Sequence, residues 1–343
     1  MNSYERVFAA YNNKDFDSFP ALNPTSIITY ELMKNNNAFF PSAHLHPIET
    51  YDLAVAGHKE LGFDSLSPYF SIHLEAAALG AKIDFSFKKG MPQVIEKPIK
   101  KIDDFTLPKN FLEKKEYIEF NKIIKKLNQK YNKKVPIIGK VIGPWTLAYH
   151  LFGVENLIMQ TILNPNVIKN FIKELSYSPI NFAKQQFENG ADFVVWADHV
   201  TCDLVSPQIY EEFVLPIHQQ AMAELSHYGP IILHVCGNLE DRIDKLSLSN
   251  MDMLHIDSRN DYAQSKNKMI KKMELIGFIN NPYLLRKGNP KDIRKETIKL
   301  LKQGVKFVAP ECAIPFNVPN ENLIELTTTL HSYNLNTIEQ INI

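Results

Sequence analysis

Ile231-Ile232-Leu233-His234-Val235-Cys236-Gly237 joins an apolar, strand-like run to an imidazole and a thiol. A third metal-capable side chain, Cys312, follows a second apolar run at residues 306–309. Functional groups at the ends of strand-like runs are typical of an α/β barrel, which builds its active site there. The pattern therefore predicts that these groups share one face of a barrel.

Short β-type runs alternate with amphipathic helical stretches along the chain, which is the signature of βαβ units and a parallel sheet. Apolar residues recur at helical spacing among lysines in residues 117–131, and prolines open further helices at residues 207, 290 and 319. The predicted strands span residues 26–29, 65–69, 137–142, 193–196, 231–234, 253–256, 274–279 and 306–309.

This alternation predicts an α/β fold, a (β/α)8 TIM barrel with a decorated N-terminal portion, as one domain over residues 1–343. Residues 83–107 break the alternation and are expected to form an inserted hairpin or arm. A doubly wound open sheet is the alternative fold, although no G-x-G-x-x-G run follows a strand to support dinucleotide binding.

The composition restricts the class of partner. The 38 basic residues equal the 38 acidic residues, and a net charge of zero argues against nucleic-acid binding through phosphate neutralisation. No stretch has the apolar length of a targeting region or a bilayer span, so we expect a cytoplasmic protein with small-molecule or protein partners and no membrane partner. Three cysteines imply no disulfide framework and leave the thiols free to bind metal.

His234, Cys236 and Cys312 form a candidate zinc site. One imidazole and two thiolates suit Zn²⁺, and three protein ligands leave a tetrahedral ion one open position for chemistry. The alternative is a pair of core cysteines, since cysteine is among the most buried residue types. Further polar, metal-capable or Gly/Pro residues also follow the predicted strands: Pro68-Tyr69-Phe70, Gly143-Pro144-Trp145, Asp198-His199, Asp257-Ser258-Arg259, Asn280-Asn281 and Glu311.

The chain resembles a known family at several motifs. Three segments are similar to the uroporphyrinogen decarboxylase superfamily: Gly143-Pro144-Trp145-Thr146-Leu147-Ala148, Asn189-Gly190-Ala191-Asp192 to Asp198, and Ser206-Pro207 leading to Glu212-Phe213-Val214-Leu215-Pro216. Within that superfamily, H-x-C followed by a distant Cys in the context P-x-C-x-I-P resembles the zinc-dependent methylcobalamin:coenzyme M methyltransferases. The resemblance covers nearly the whole chain.

The resemblance implies an enzyme, a methyltransferase that binds Zn²⁺ through His234, Cys236 and Cys312. It would move a methyl group to the thiol of coenzyme M in methylotrophic methanogenesis. The implied donor is a methylcobamide on a separate methylated corrinoid protein, because no D-x-H-x-x-G run supplies an axial histidine in this chain.

Three other functions stay open at this point. The same chemistry could serve another acceptor, such as homocysteine or a folate. A uroporphyrinogen-decarboxylase-like lyase is a second alternative, against which the lack of an arginine-rich motif near residues 38–47 argues. The third is a non-catalytic protein that binds a corrinoid or a metal.

Residues at other strand ends are candidates for contacts with the cofactor or the substrate. Asp198, Asp257, Arg259 and Asn280 are candidate cofactor-binding residues. The two carboxylates either hydrogen-bond the metal-binding histidine or orient the substrate, or they serve as helix caps or loop hydrogen bonds. Glu311 is either a displaceable fourth metal ligand or a capping carboxylate.

The sulfonate of coenzyme M would need a cation or backbone amides. Arg259 is the first candidate, ahead of Arg286 and Lys140, and each of them is otherwise a structural cation. Cys202 is expected to be structural because it lacks a paired ligand. His44-Leu45-His46 is expected to be an exposed loop rather than a second metal site.

Overall fold

A six-stranded parallel sheet lies at the centre of the protein, whose computed structural model describes residues 1–69, 71–87 and 90–333. The strands are β1 Lys82–Asp84, β2 Gln93–Glu96, β3 Ile138–Ile142, β4 Phe193–Ala197, β5 Ile231–Val235, β6 Met253–Ile256, β7 Glu274–Ile279 and β8 Phe307–Pro310. Strands β3 to β8 pair in chain order, and nearly all of their residues are buried. Burial on both faces is expected of a parallel sheet covered by helices.

The sheet curls into a barrel. Two strands separate β5 from β8, so a flat sheet would place these strands about 14 Å apart. The Sγ atoms of Cys236 and Cys312, just beyond their ends, are instead 2.8 Å apart. The strand order never reverses, whereas a doubly wound sheet reverses at its switch point. The barrel prediction is therefore confirmed, and the doubly wound alternative is wrong.

Two extended segments complete the ring where the first two strands were predicted. Leu66 forms a single parallel bridge with Ile137, beside β3. On the other side of the ring, the backbone N–H of Tyr30 donates to the carbonyl of Phe316 at 2.7 Å. Residues 26–29 and 65–69 thus form no regular strand in the described part of the chain, and these two predictions are wrong. Phe70, of the predicted Pro68-Tyr69-Phe70 strand end, lies outside the described residues.

Side chains replace the ladder hydrogen bonds between these two segments. The hydroxyls of Ser65 and Ser67 donate to the carbonyl of Asn23 at 3.3 and 2.9 Å. The backbone N–H of Asn23 donates to Oγ of Ser65 at 3.1 Å. Backbone groups that side chains satisfy are not free to pair with a neighbouring strand. The other six predicted strands are confirmed to within one residue at each end.

Helices follow the strands and cover the sheet. They are α1 Ser3–Tyr11, α2 Tyr30–Asn35, α3 Ser42–Leu45, α4 Pro47–Leu61, α5 Leu74–Ala78, α6 Lys115–Tyr131, α7 Pro144–Leu151, α8 Val154–Leu163, α9 Pro165–Glu188, α10 Pro207–Ile209, α11 Leu215–Leu225, α12 Ile243–Leu246, α13 Tyr262–Lys268, α14 Pro290–Lys302 and α15 Asn320–Ser332. A π-helical segment, Tyr210–Val214, joins α10 to α11, and another follows β7 at Asn281–Leu285. Proline opens or precedes the helices at residues 207, 290 and 319, as predicted.

The insertion begins with an antiparallel hairpin of β1 and β2, which confirms the prediction for residues 83–107. Residues 88–89, and residues 334–343 of the predicted domain, lie outside the described residues. His44 is not in an exposed loop: it belongs to α3, and its ring stacks on Phe40 with centroids 3.8 Å apart. Among the described residues, none of the helices combines the length and the apolar composition needed to cross a bilayer.

Candidate metal centre

Three ligand atoms converge at the carboxyl ends of β5 and β8. Nε2 of His234 lies 3.0 Å from Sγ of Cys236 and 3.6 Å from Sγ of Cys312, and the two sulfurs are 2.8 Å apart. His234 is the fourth residue of β5, Cys236 follows that strand directly, and Cys312 comes two residues after β8. The predicted site residues are thus brought together, although 76 residues separate the two cysteines.

The protonation of the three side chains suits a metal. Burial lowers the pKa of His234 well below its usual value, and the nearby His255 and Lys140 lower it further. The imidazole is therefore neutral, as a ligand must be. The hydrogen bond between the two sulfurs lowers the pKa of Cys312 and raises that of Cys236.

The donor set fits Zn²⁺. All three ligand atoms lie within 4.8 Å of one another, and in the described residues this is the only such group of His, Cys, Asp or Glu. Sulfur and imidazole nitrogen are the ligands that Zn²⁺ takes in three-ligand catalytic sites. Cys236 and Cys312 each lie in a loop, and hydrogen bonds from neighbouring residues hold each of these two loops.

Asp257 holds the loop after β5. Its Oδ2 accepts a hydrogen bond of 2.6 Å from the backbone N–H of Gly237, next to Cys236. Gly237 has a φ of +112°, and a Cβ there would lie 2.4 Å from Oγ1 of Thr201. Only glycine fits this backbone without displacing Thr201. Asp257 therefore fixes the direction in which the chain leaves Cys236, and it does not hydrogen-bond His234.

Glu311 holds the loop after β8. One carboxylate oxygen accepts from the backbone N–H and the hydroxyl of Ser258 at 2.9 and 2.5 Å. The other accepts from the backbone N–H of Asn281 at 2.9 Å and from the side-chain amide of Asn280 at 3.3 Å. The side chain of Asn281 in turn donates to the carbonyl of Cys312 at 2.9 Å. Of the two open roles for Glu311, the structure shows the capping carboxylate.

Asp198 is fully buried but points away from the ligand atoms. One of its oxygens accepts from the backbone N–H and the hydroxyl of Thr146, both at 2.8 Å, and the other lies 3.2 Å from Nε2 of His218. It therefore joins the first turn of α7 to α11. Asp198 and Asp257 thus form helix and loop hydrogen bonds, which is the alternative role that the sequence left open for them.

The three candidate cations occupy different places. Arg259 lies at the rim, its side chain is 56% exposed, and it pairs with Asp257 and Asp203. Arg286 lines a cavity of about 430 Å³ that also touches the residues directly after Cys312. Lys140, on β3, is buried in the barrel and is the one of the three whose charge acts on the pKa of both cysteines.

Two histidines near the centre were given no role by the sequence analysis. His255 pairs in register with His234, and their ring centroids are 4.5 Å apart. Its Nε2 donates to the carbonyl of Pro310 at 2.8 Å, and burial lowers its pKa to about 4. Burial also lowers the pKa of His199. The strand register places His255 beside His234, and the charge of His199 acts on the pKa of His234. Cys202, by contrast, lies outside the group of ligand atoms.

Known proteins with similar sequences span nearly the whole chain. Methylcobamide:CoM methyltransferase MtbA of Methanosarcina acetivorans is 28% identical, over 96% of this chain and 97% of that protein. The methylated-thiol–coenzyme M methyltransferase of Methanosarcina mazei is 30% identical, over 94% of this chain and 87% of that protein.

A solved structure supports the same relationship. A methyltransferase from Methanosarcina mazei superposes with a TM-score of 0.91 at 25% identity, over 96% of this chain and 98% of that chain. The sequence model of the uroporphyrinogen decarboxylase (URO-D) family matches residues 2–333. The chain therefore belongs to the uroporphyrinogen decarboxylase family.

Proposed function

We propose that this protein is a methyltransferase that moves a methyl group from a methylated corrinoid to the thiol of coenzyme M, with Zn²⁺ held by His234, Cys236 and Cys312. The observation that carries the proposal is the convergence of these three ligand atoms at the strand-end face of the barrel. The names of the relatives, which include methylcobamide:CoM methyltransferases, supply the donor and the acceptor.

The chain's own residues prepare this site. Burial keeps His234 neutral, Asp257 fixes the loop that carries Cys236, and Glu311 fixes the loop that carries Cys312. When bound there, Zn²⁺ would have its charge cancelled by two thiolates and would take up an incoming thiol as its thiolate at neutral pH. The thiol proton would pass to solvent, so the nucleophile is prepared without a dedicated basic side chain.

The methyl transfer itself balances without an acid. The sulfur of the thiol attacks the methyl carbon, and the carbon–sulfur bond forms as the carbon–cobalt bond breaks. Both electrons of the broken bond stay on cobalt, which leaves as Co(I). The corrinoid would be presented by a separate corrinoid protein that docks over the strand-end face, because the chain has no D-x-H-x-x-G run.

A second candidate uses the same site with a different donor. One relative, 30% identical over 94% of this chain, is named a methylated-thiol–coenzyme M methyltransferase. A methylated thiol would then supply the methyl group, and coenzyme M would remain the acceptor. The other acceptors, homocysteine and folates, use the same zinc site and are distinguished only by assay.

The experiment mixes zinc-loaded protein with methylcobalamin and coenzyme M under anoxic conditions and follows the corrinoid spectrum. We expect conversion to Co(I) with coenzyme M, and much slower conversion with homocysteine or a folate. Protein stripped of zinc should give no conversion. Equal rates with and without zinc would refute the proposal. Stoichiometric zinc without any transfer would favour a non-catalytic binding protein.

A further inference from the structure

Lys140 faces the same interior as the candidate metal centre. Ile142 on β3 pairs with Ala197 on β4, which pairs with His234 on β5, so these three side chains lie on one face of the sheet. Lys140 precedes Ile142 by two residues and therefore shares that face. It lies one layer deeper in the barrel than the strand ends, and only 6% of its surface is exposed.

The charge of Lys140 affects the pKa of all three residues of the candidate metal centre. Burial lowers the pKa of Lys140, while the two cysteines and Glu75 oppose that shift. Its ammonium group lies 5.7 Å from the ring centroid of Tyr69. The groups whose pKa its charge affects are Glu75, His199, His234, Cys236, His255 and Cys312.

No anion in the described part of the chain forms an ion pair or a hydrogen bond with the ammonium group of Lys140. Glu75 is the carboxyl group whose charge acts on Lys140, but burial raises the pKa of Glu75 to about 8, so this carboxyl group is mostly neutral at pH 7. Oε2 of Glu75 accepts from the hydroxyl of Tyr69 at 3.2 Å and from the backbone N–H of Ile142 at 2.5 Å, while its buried Oε1 has no hydrogen-bond partner among the described residues. Burying an unpaired cation costs free energy, which an anionic ligand would recover.

Neither Arg259 nor Arg286 offers an equivalent binding site for an anionic ligand. Arg259 is already paired with Asp257 and Asp203 and is more than half exposed, so water screens its charge. Arg286 is exposed and lies on the outer cavity, beyond Cys312. A methyl donor has to approach from the strand-end opening, so the rest of a small thiol substrate must point sideways or inward. Lys140 is the cation in that direction.

We propose that Lys140 binds the acidic group of the thiol substrate and thereby selects short anionic thiols over neutral ones. The inference rests on the proposed function, since it assigns the tail of the same substrate whose sulfur reacts. In coenzyme M the sulfonate is two carbons from the sulfur, which is short enough for both ends to lie inside one barrel. Lys140 is thus a specificity-determining residue.

The test compares coenzyme M with 2-mercaptoethanol, which has a hydroxyl in place of the sulfonate. For Lys140→Met, we expect kcat/KM with coenzyme M to fall about 10- to 100-fold, as for the loss of a charge-assisted hydrogen bond. The value with 2-mercaptoethanol should fall at least about 10-fold less than the value with coenzyme M, because only coenzyme M loses a charged contact. Lys140→Arg keeps the charge and should retain most of the preference for coenzyme M. Equal losses with both thiols in Lys140→Met would overturn the inference.

A second measurement does not depend on methyl transfer. Calorimetry with ethanesulfonate, which has the sulfonate but no thiol, should show binding to the zinc-loaded wild-type protein and at least about 10-fold weaker binding to Lys140→Met. Equal binding to both, or none to the wild type, would contradict the role of Lys140. Loss of transfer by the wild type with both thiols would refute only the proposed function.

The melting temperature of Lys140→Met shows whether this variant folds and whether Lys140 has a structural partner. Methionine replaces an unpaired buried cation with an apolar side chain, so the melting temperature of zinc-loaded Lys140→Met should equal or exceed that of the wild type. Its zinc content should also remain one per chain. A lower melting temperature would mean that Lys140 has a structural partner, and the inference would fail.

Discussion

Cys312 is the residue at which the metal site is most directly tested, because its sulfur comes from a different strand than the other two ligand atoms. A serine hydroxyl is a poor ligand for Zn²⁺, so Cys312→Ser should lose zinc affinity by more than the 10- to 100-fold that removal of a supporting hydrogen bond costs. Metal analysis after dialysis measures this, with about one zinc per wild-type chain as the reference.

The matched control is Cys202→Ser. Cys202 lies outside the group of converging ligand atoms, so its variant should keep wild-type zinc. If Cys312→Ser retained stoichiometric zinc, Cys312 would not be a ligand and the site assignment would be wrong.

Glu311 acts on the metal through the loop it holds. In Glu311→Gln an amide NH₂ group would face the donors of Ser258 or Asn281, so at least one of these hydrogen bonds is lost. We expect zinc affinity to fall about 10-fold and the free energy of unfolding to fall by about 2 kcal/mol. Competition with a zinc chelator and urea unfolding measure the two effects. Zinc affinity that rose or stayed unchanged would exclude the loop-holding role.

The convergence of His234, Cys236 and Cys312 could be predicted from the sequence, and most of the surrounding contacts could not. His234, Cys236 and Cys312 are identified by their chemistry and by their positions after apolar runs. The hydrogen-bond partners of Asp198 and Asp257 depend on which donor groups lie near them in the folded protein. The sequence alone does not show this. Arg259 ranks ahead of Lys140 in the sequence because it follows the strand next to the one that carries His234; the register that turns Lys140 inward is visible only in the structure.

At the level of elements, Asp198 joins α7 to α11 through Thr146 and His218. Removing its carboxylate in Asp198→Ala leaves these buried donors unpaired and should lower the free energy of unfolding by about 3 kcal/mol. Asp198→Asn keeps one acceptor for Thr146 and should cost about 1 kcal/mol. Urea unfolding of the zinc-loaded proteins distinguishes the two.

Zinc content separates this structural role from cofactor binding. Both Asp198 variants should keep about one zinc per chain, because the Asp198 side chain hydrogen-bonds none of the three ligand residues, and both variants keep the backbone N–H that donates to the carbonyl of His234. A loss of zinc in Asp198→Asn with unchanged stability would instead support the cofactor-binding role predicted from the sequence.

The strands show which parts of the sheet an apolar sequence pattern can predict. Six strands were predicted within one residue because their apolar runs are buried on both faces of the sheet. Residues 26–29 and 65–69 have the same extended character, but the side chains of Ser65 and Ser67 satisfy backbone groups of Asn23. An apolar run predicts an extended chain; it does not predict which groups will complete its hydrogen bonds.

For the whole molecule, Asp64 connects the two ends of the described chain. Its carboxylate pairs with Arg6 of α1 at 2.9 Å and with His331 of α15 at 2.8 Å, and it accepts from Ser3 and from the backbone N–H of Ala21. Burial alone would raise the pKa of Asp64, but hydrogen bonds from His331, Ser3 and Ala21 outweigh it and lower the pKa.

Because the pKa of Asp64 is lowered in the folded state, the free energy of unfolding depends on pH in a known direction. The contribution of Asp64 is fully present above the unfolded-state pKa of about 4 and is lost as pH falls through the lower folded-state value. Asp64→Asn should therefore lower the free energy of unfolding by about 2 to 3 kcal/mol at pH 7. The difference from the wild type should shrink as the pH falls below about 4.

Asp17→Asn is the control, because Asp17 also pairs with Arg6 but is 38% exposed. Its effect on the free energy of unfolding should stay below about 1 kcal/mol. Equal effects of the two variants, or a difference for Asp64→Asn that grows as the pH falls, would contradict this role for Asp64.

The central claim is that three protein ligands hold Zn²⁺ and leave one position for the thiol substrate. X-ray absorption at the zinc edge measures it by counting sulfur neighbours with and without coenzyme M. We expect two sulfurs in the zinc-loaded protein and three after coenzyme M is added. A count that stays at two would show that the thiol does not bind the metal, and the account of the site would be wrong.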